Sequence, residues 1–215
     1  MILNRLHRVL LLGPPVIMIM AGSLWAFMLD KRLFDDPLSF VVEDKNGVLL
    51  GASIAEDGQW RFPELDKVPD KLGIAVTAFE DRRFYYHLGL DPLALARAVV
   101  SNFKAGYIVS GASTITMQLV RLQRKGKPRI ISEKILEAIT ALRLELRFSK
   151  EEILALYVSN APYGGNTVGI EAAAWRYFSR SPQDLSWAEA AMLAVLPNSP
   201  SAVNLQRLRE SLKIK

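Results

Sequence analysis

The sequence has no cysteine and only two histidines among its 215 residues. The absence of cysteine excludes disulfides, thiolate catalysis and cysteine-based zinc sites, and it leaves the redox compartment open. Internal repeats and low-complexity segments are missing as well. Acidic residues are outnumbered, because 22 Asp and Glu stand against 27 Lys and Arg and the net charge is +5. A basic chain favours acidic partners such as nucleic acid, anionic lipid or a phosphorylated substrate.

Three familiar functional motifs are absent or incomplete. SNFK at residues 101–104 matches the S-x-x-K of penicillin-type acyl enzymes, but no S-x-N or K-T-G follows it. The spacing of a Walker phosphate-binding loop does not occur. The basic residues are not accompanied by an aromatic platform or a zinc module, which argues against nucleic acid as a partner.

An uncharged run of 21 residues occupies positions 9–29. As a helix it would be about 31 Å long, enough to cross the hydrocarbon core of a bilayer. Pro14 and Pro15 would kink such a helix without forbidding it. A buried core helix and a cleaved signal peptide are the alternatives, although the run is long for a signal peptide and AGS at 21–23 is a poor cleavage site. We expect a cytoplasmic tail at 1–8 and a transmembrane anchor at 9–29.

Residues 30–69 are predicted to form a linker and a small β element. Asn46-Gly47 and Asp57-Gly58 each lie between short apolar runs, a pattern typical of β-hairpins. From Asp70 the apolar period becomes helical, and Glu80 lies at the end of this first helix.

The remaining pattern predicts a mainly α domain over residues 70–205, followed by a tail at 206–215. Asp91-Pro92 is a helix start, and residues 104–113 form a glycine-punctuated loop. Two capping boxes precede apolar runs. They are Ser149 with Glu152 and Ser186 with Glu189. A later helix carries an apolar stripe of Ile131, Ile135, Ala138, Ile139, Leu142 and Leu146.

Two stretches combine residues suited to chemistry. EDRRFYYHLG at 80–89 places acids, arginines and a histidine against aromatics, which indicates the wall of a site. GASTITMQLVRLQRKGKPR at 111–129 combines hydroxyls at a helix start with basic residues, which suits a phosphate or pyrophosphate; attraction to anionic lipid is the alternative. Lys134 and Glu137 share a helix face away from the stripe, and a solvated ion pair is the simpler explanation for them.

The motifs EDRRFYYHLG, GASTITMQ, EKILEA and ILALYVSNAPYGGNTVGIEAAAWRYF occur in the order found in family 51 peptidoglycan glycosyltransferases. The chain resembles the glycosyltransferase region of class A penicillin-binding proteins over residues 38–205. TMQLVRL, NAPYGG and LAVLPNSPS are most similar to the 1C branch of that class. Four ordered motifs make the resemblance specific.

The resemblance implies a lysozyme-like, mainly α domain with a part that dips into the membrane. Its activity would be the polymerisation of lipid II into β-1,4 glycan strands, with release of undecaprenyl pyrophosphate. Glu80 matches the general base, and Glu137 is the second residue assigned to catalysis. Lys134 and Glu137 match residues that bind the pyrophosphate side of the donor and support the site, with Lys134 as a substrate-binding position. Further substrate-binding positions are Asp81, Phe84, His87, Arg97, Ser113, Thr114, Gln118, Arg121 and Arg129.

The implied setting is the bacterial cytoplasmic membrane, crossed once, with the catalytic domain outside. The expected partners are lipid II, the growing glycan chain, membrane lipids and other cell-wall synthesis proteins, but not nucleic acid. No cofactor is required by the sequence, although a divalent cation, Mg²⁺ or Mn²⁺, can assist a pyrophosphate leaving group.

Two residues depart from the family pattern. Glu133 stands where arginine is usual and places a like charge four residues from Glu137, which disfavours the ionised form of that carboxyl; Ala112 replaces a glycine. The sequence ends at Lys215 without a transpeptidase region, which suggests a monofunctional form or a truncated gene. A non-catalytic module that binds lipid II is therefore one alternative, and a lysozyme-like lytic enzyme with Glu80 as acid is another.

Overall fold

The computed structural model describes residues 32–107, 109, 111–125, 127–128 and 130–198. The predicted anchor at 9–29, the tail at 206–215 and the candidate residue Arg129 lie outside these ranges. Within the described ranges, every helix is too short or too polar to span a bilayer.

Helices dominate the described part of the chain, so the prediction of a mainly α domain is confirmed. The helices are α1 Asp70–Glu80, α2 Pro92–Ala105, α3 Ile115–Gln123, α4 Ile131–Arg147, α5 Lys150–Asn160, α6 Ile170–Phe178 and α7 Trp187–Val195. The strands are β1 Val41–Glu43, β2 Leu49–Ala52, β3 Trp60–Arg61, β4 Pro162–Gly164 and β5 Thr167–Val168. Short 3₁₀ turns cover Phe84–Tyr86, Pro182–Asp184 and Leu196–Asn198.

The first predicted hairpin is confirmed and the second is wrong. Strands β1 and β2 pair antiparallel around the turn at Asn46-Gly47. Asp57-Gly58 also forms a turn, but β3, which follows it, pairs in parallel with β5. Strand β5 in turn pairs antiparallel with β4. The N-terminal segment is thus joined to the helical domain by a shared three-stranded sheet, a pairing that local turn signals cannot reveal.

The core lies between α1, α3, α5, α6 and α7. Helix α1 packs along α7, and α3 packs against both α4 and α5. The largest fully buried side chains include Tyr157, Tyr163, Phe84, Leu72 and Ile115. Burial of this aromatic and aliphatic surface is the main stabilising contribution to such a fold.

The helix starts form as the sequence predicts. The Asp91 carboxylate accepts a hydrogen bond from the backbone N–H of Ala94 at 2.9 Å, with Pro92 in the first turn of α2. Both capping boxes are closed, at the start of α5 and at the start of α7. Each cap satisfies backbone donors that a helix start leaves without partners.

Helices α2 and α4 expose most of their large apolar side chains. An apolar stripe normally marks the buried face of a helix, yet on α4 Ile131 is 82% and Ile135 is 55% exposed. The buried residues of α4 are instead Glu137, Ala141 and Leu144. Helix α2 buries only Ala98 among its 14 residues. We call the large exposed apolar residues of these helices the apolar helix faces. They comprise Leu93, Leu95, Val99, Val100 and Phe103 on α2 and Ile131, Ile135, Leu136, Ile139, Leu142 and Leu146 on α4.

One glycine is required by the fold at the start of α6. Gly169 has φ +85° and ψ 146°, a backbone region that residues with a side chain almost never occupy. A Cβ atom at this position would lie 2.5 Å from the carbonyl oxygen of Ser159 on α5. The close approach of α5 and α6 therefore depends on the missing side chain.

We expect Gly169→Ala to destabilise the protein by about 3 kcal/mol or more, because backbone strain and a steric clash act together. Thermal unfolding should show this as a Tm lower by roughly 10 °C. Gly58→Ala is the matched control, since Gly58 has φ +79° but open space around its Cβ position. Equal losses in the two variants would contradict the clash.

Candidate active site

Glu80 is the last residue of α1 and lies half-buried beside a cavity. Its Oε2 accepts a hydrogen bond from Gln118 Nε2 at 2.8 Å. Its Oε1 accepts one from Asn198 Nδ2 at 2.6 Å. Both carboxylate oxygens are thus held by side-chain amides from other parts of the chain.

Burial raises the pKa of Glu80 above its ordinary value, and the hydrogen bonds from Gln118 and Asn198 oppose this rise. The neighbouring charge of Asp81 adds to the rise. Arg82 and Arg83 follow Glu80 closely in the sequence, and their charges would lower its pKa if their guanidinium groups faced it. Both side chains have other partners. Arg82 Nε donates to the Ala78 carbonyl at 3.3 Å, and Arg83 pairs with Asp91. Amides, rather than arginines, therefore favour the ionised form of Glu80.

Two buried tyrosines lie behind Glu80. The Tyr157 hydroxyl donates to Gln118 Oε1 at 3.2 Å, so the NH₂ group of Gln118 faces Glu80. Burial raises the pKa of both Tyr157 and Tyr163, with a further contribution from the Glu80 charge. Both hydroxyls are therefore neutral near pH 7. Sequence reasoning missed these tyrosines as site residues, although both lie in the fourth quoted motif.

Asp81 and His87 bind each other inside the protein. His87 Nε2 lies 3.0 and 3.1 Å from the two carboxylate oxygens of Asp81. Asp81 also accepts the backbone N–H of Ile115 at 3.1 Å, which ties the first motif to the start of α3. The two side chains are only 4% and 5% exposed. Their geometry suits support of the site better than contact with a substrate.

Phe84 is fully buried and lies over a second interior cluster. Lys150 Nζ is 4.4 Å from the centre of the Phe84 ring and 2.8 Å from Glu145 Oε1. Thr116 Oγ1 donates to the same Glu145 oxygen at 2.5 Å. Thr116 is therefore occupied and is not a free donor for phosphate. The sequence offered no signal for this cluster, because its members belong to separate helices.

The two predicted hydroxyl residues of the second motif, Ser113 and Thr114, differ in their exposure to solvent. Ser113 is exposed, and its Oγ accepts a hydrogen bond from Lys134 Nζ at 2.8 Å. Thr114 is buried; its Oγ1 donates to the Gly89 carbonyl at 2.5 Å and caps α3 by accepting from Met117 N–H at 3.2 Å. Ser113 can therefore contact a ligand, whereas Thr114 holds the loop in place.

Lys134 and Glu137 form an ion pair that is more buried than a solvated helix-surface pair. Lys134 Nζ lies 2.9 Å from Glu137 Oε2, and the Glu137 side chain is 11% exposed. Glu133, which departs from the family pattern, is matched by a counter-charge. Its Oε2 accepts from Arg124 Nη2 at 2.6 Å and from Arg124 Nε at 3.1 Å.

The cavity beside Glu80 has a volume of about 360 Å³. Its walls include Glu80, Arg82, Arg83, Arg97 and Ser113. The structure thus brings together predicted residues from the first motif, from α2 and from the second motif. Lys134 is linked to the cavity wall by its hydrogen bond to Ser113. Arg121 lies in the last turn of α3 and is not part of the cavity wall. A second cavity of about 350 Å³, near Arg61 and Glu64, contains none of the predicted residues.

One group of side chains in the described ranges has the spacing of metal ligands, namely Asp81, His87 and Asp91. Every member is already engaged: Asp81 with His87 and a backbone N–H, and Asp91 with Arg83 and a helix start. An ion here would have to displace these contacts, so the donor set does not fit a resident metal.

Comparison with known proteins agrees with the motifs and the site. A family model described as Transglycosylase matches residues 47–214. Penicillin-binding protein 1C of Escherichia coli is 40% identical over 191 residues, which cover 88% of this chain and 24% of that protein. Penicillin-binding protein 1A of Aquifex aeolicus is 41% identical over 178 residues, covering 81% and 24%. Penicillin-binding protein 1A/1B of Bacillus subtilis is 36% identical over 179 residues, covering 82% and 19%.

The family model thus assigns the mainly α domain, with its half-buried Glu80 beside a cavity lined by both arginines and carboxylates, to the class of transglycosylase domains. The chain belongs to the transglycosylase family, and the predicted family and enzyme class, a peptidoglycan glycosyltransferase, are confirmed. The chain spans about a quarter or less of the length of the relatives compared above.

Proposed function

We propose that this domain polymerises lipid II into β-1,4 glycan strands with Glu80 as the general base. The observation that carries the proposal is the environment of Glu80. It is half-buried at a helix end, both of its oxygens are held by amides, and it borders a cavity with three arginines. Burial raises its pKa towards the range of an effective base.

The reaction needs a base on one face of the sugar and charge stabilisation on the other. The 4-hydroxyl of the acceptor sugar attacks the anomeric carbon of the donor and transfers its proton to Glu80. The bond from the anomeric carbon to the pyrophosphate oxygen breaks, and the electron pair leaves with undecaprenyl pyrophosphate. This leaving group is already acidic, so a strong general acid is not required.

Positive charge for the leaving group is available where Ser113 lines the cavity. Lys134 is fixed by Ser113 and Glu137, so its ammonium group is preorganised to bind a phosphate oxygen. Arg97 lines the cavity, and Arg121 lies farther along α3. Mg²⁺ or Mn²⁺ can share this neutralisation when it arrives with the pyrophosphate.

The apolar helix faces support a position at the membrane. Phe103 is 87% exposed and Val99 is 60% exposed, surface that is costly to leave in water. Helix α2 also contributes Ala94 and Arg97 to the cavity wall. A substrate with an undecaprenyl tail could therefore enter the cavity from a bilayer that covers α2. The anchor at 9–29 would hold the domain on the extracytoplasmic side of this membrane.

The non-catalytic alternative rests mainly on Glu133. Since Arg124 binds that carboxylate, the extra negative charge does not stand unopposed beside Glu137. This contact weakens the alternative, and an assay with substrate decides between the two.

We predict that Glu80→Gln abolishes glycan polymerisation, with a loss of at least about 100-fold, because the amide cannot accept the hydroxyl proton. Binding of labelled lipid II and the Tm should be largely retained, since the amide keeps the shape of the side chain. Glu64→Gln is the matched control, because Glu64 also accepts an asparagine amide, at 2.7 Å, outside the cavity.

Polymerisation by Glu80→Gln at the wild-type rate would show that Glu80 is not the general base. Wild-type protein that binds lipid II without ever polymerising it, under conditions that support a related enzyme, would favour the non-catalytic module.

Alanine at Lys134 should lower turnover by about 10- to 1000-fold, because one preorganised positive charge is lost. Arg121→Ala should act in the same direction if that residue reaches the pyrophosphate. Neither change should lower the Tm greatly, because neither side chain belongs to the core. Lys127→Ala, an exposed member of the same basic run, is the control. If the control and both test variants all polymerise at the wild-type rate, the basic run serves only to attract the protein to the lipid surface.

For a chain that starts at Arg32, we predict that Phe103→Glu weakens binding to vesicles of phosphatidylethanolamine and phosphatidylglycerol by about tenfold or more. The start at Arg32 retains Leu33, which is buried in the core. Phe40→Glu is the matched control, because Phe40 is also exposed but lies beside the first hairpin. Cosedimentation measures both, and equal losses would mean that α2 is not the membrane-facing element.

A further inference from the structure

Asn198 contacts the proposed base although none of the recognised motifs assigns it a role. It ends the short 3₁₀ turn Leu196–Asn198 that follows α7. Its Nδ2 lies 2.6 Å from Glu80 Oε1, across 118 positions of sequence. A hydrogen bond between an amide and a carboxylate at this distance is charge-assisted and short.

The backbone of the Asn198 turn is fixed by the core. Helix α7 packs along α1, which ends at Glu80, and the turn itself packs against β4. Leu196 is 3% exposed, so it anchors the turn from below. Asn198 remains exposed at the surface. The packing that aligns the ends of α1 and α7 thus sets the distance between Asn198 and Glu80.

The two carboxylate oxygens of Glu80 have different environments. Oε2 faces Gln118, whose orientation is fixed by the buried Tyr157 hydroxyl. Oε1 faces the exposed Asn198. Each carboxylate oxygen has room for two hydrogen bonds, so Oε1 keeps one position for an incoming hydroxyl. Asn198 can therefore orient the base without blocking it.

We propose that Asn198 is a positioning residue for the general base. Together with Gln118 it holds the Glu80 carboxylate in one orientation and in its ionised form, with one acceptor position of Oε1 open to the acceptor hydroxyl. This inference rests on the proposed function of Glu80. The segment after α7 would thus take part in the reaction, a role that follows from the folded structure and not from the sequence motifs.

The other titratable and charged groups near Glu80 belong to elements other than the Asn198 turn. The acidic ones are Asp81, whose charge disfavours ionisation of Glu80, and Asp91 on the same cavity wall. Tyr157 and Tyr163 are neutral, because burial raises the pKa of each well above 10. The cationic groups on the cavity wall are Arg82, Arg83 and Arg97. A shift on replacing Asn198 can therefore be attributed to the lost hydrogen bond.

The test is the pH dependence of kcat/KM for lipid II polymerisation by the full chain. The base must be ionised, so activity falls as the pH drops through the pKa of Glu80. Asn198→Leu removes a hydrogen-bond donor that favours the ionised form of Glu80. The acidic limb of the pH profile of kcat/KM should therefore move to higher pH by about one unit. Asn198→Asp adds a like charge, so its limb should move further in the same direction.

Asn160→Leu is the control, because it removes another amide-to-carboxylate hydrogen bond, to Glu64 at 2.7 Å. Asn160 is buried, so this change can lower the Tm, but it should leave the acidic limb in place. Asn198→Leu should behave in the opposite way, with a retained Tm and a shifted limb. Limbs that coincide for wild type, Asn198→Leu and Asn198→Asp would overturn the proposal.

A second measurement separates this inference from the proposed function. If the wild type forms no polymer, the function fails and kinetics cannot be used. The Glu80 carboxyl can then be titrated directly by ¹³C NMR in the full chain, with Glu80→Gln to assign the signal. A titration midpoint that is higher in Asn198→Leu than in wild type would still support the contact. Identical midpoints would refute it whether or not the protein is active.

Discussion

A carboxylate that is taken partly out of water loses solvation, and hydrogen bonds must replace it. Glu80 is in this position, and its two amide donors come from α3 and from the turn after α7. The site therefore exists only when α1, α3 and α7 are packed together. The burial that raises the pKa of Glu80 and the hydrogen bonds that oppose this rise have the same structural origin.

The support of this site extends into the interior. Asp81 binds His87 and the start of α3, while Phe84 lies over the buried pair of Lys150 and Glu145. Breaking such a buried pair by removing one partner is costly. The first motif is thus mostly a framework around Glu80, the carboxylate whose pKa burial raises and which borders the arginine-lined cavity. This explains why charged and aromatic residues occur together in so short a stretch.

Local signals in the sequence predicted the mainly α domain, the helix caps and the position of Glu80 at a helix end. These features depend on neighbouring residues, such as Ser149 and Glu152 in one capping box. Features that depend on distant parts of the chain were not predictable: the pairing of β3 with β5 and the contact of Asn198 with Glu80. The exposed stripe of α4 belongs to this class, because its period indicates an apolar face but not whether protein or lipid covers it.

We propose that Glu80 promotes transfer of the sugar to a second sugar rather than to water. The products that the wild-type chain forms from labelled lipid II distinguish these two reactions. We expect glycan polymer, with one undecaprenyl pyrophosphate released for each disaccharide added to a strand. Release of free disaccharide without polymer would indicate hydrolysis and would refute polymerisation as the function.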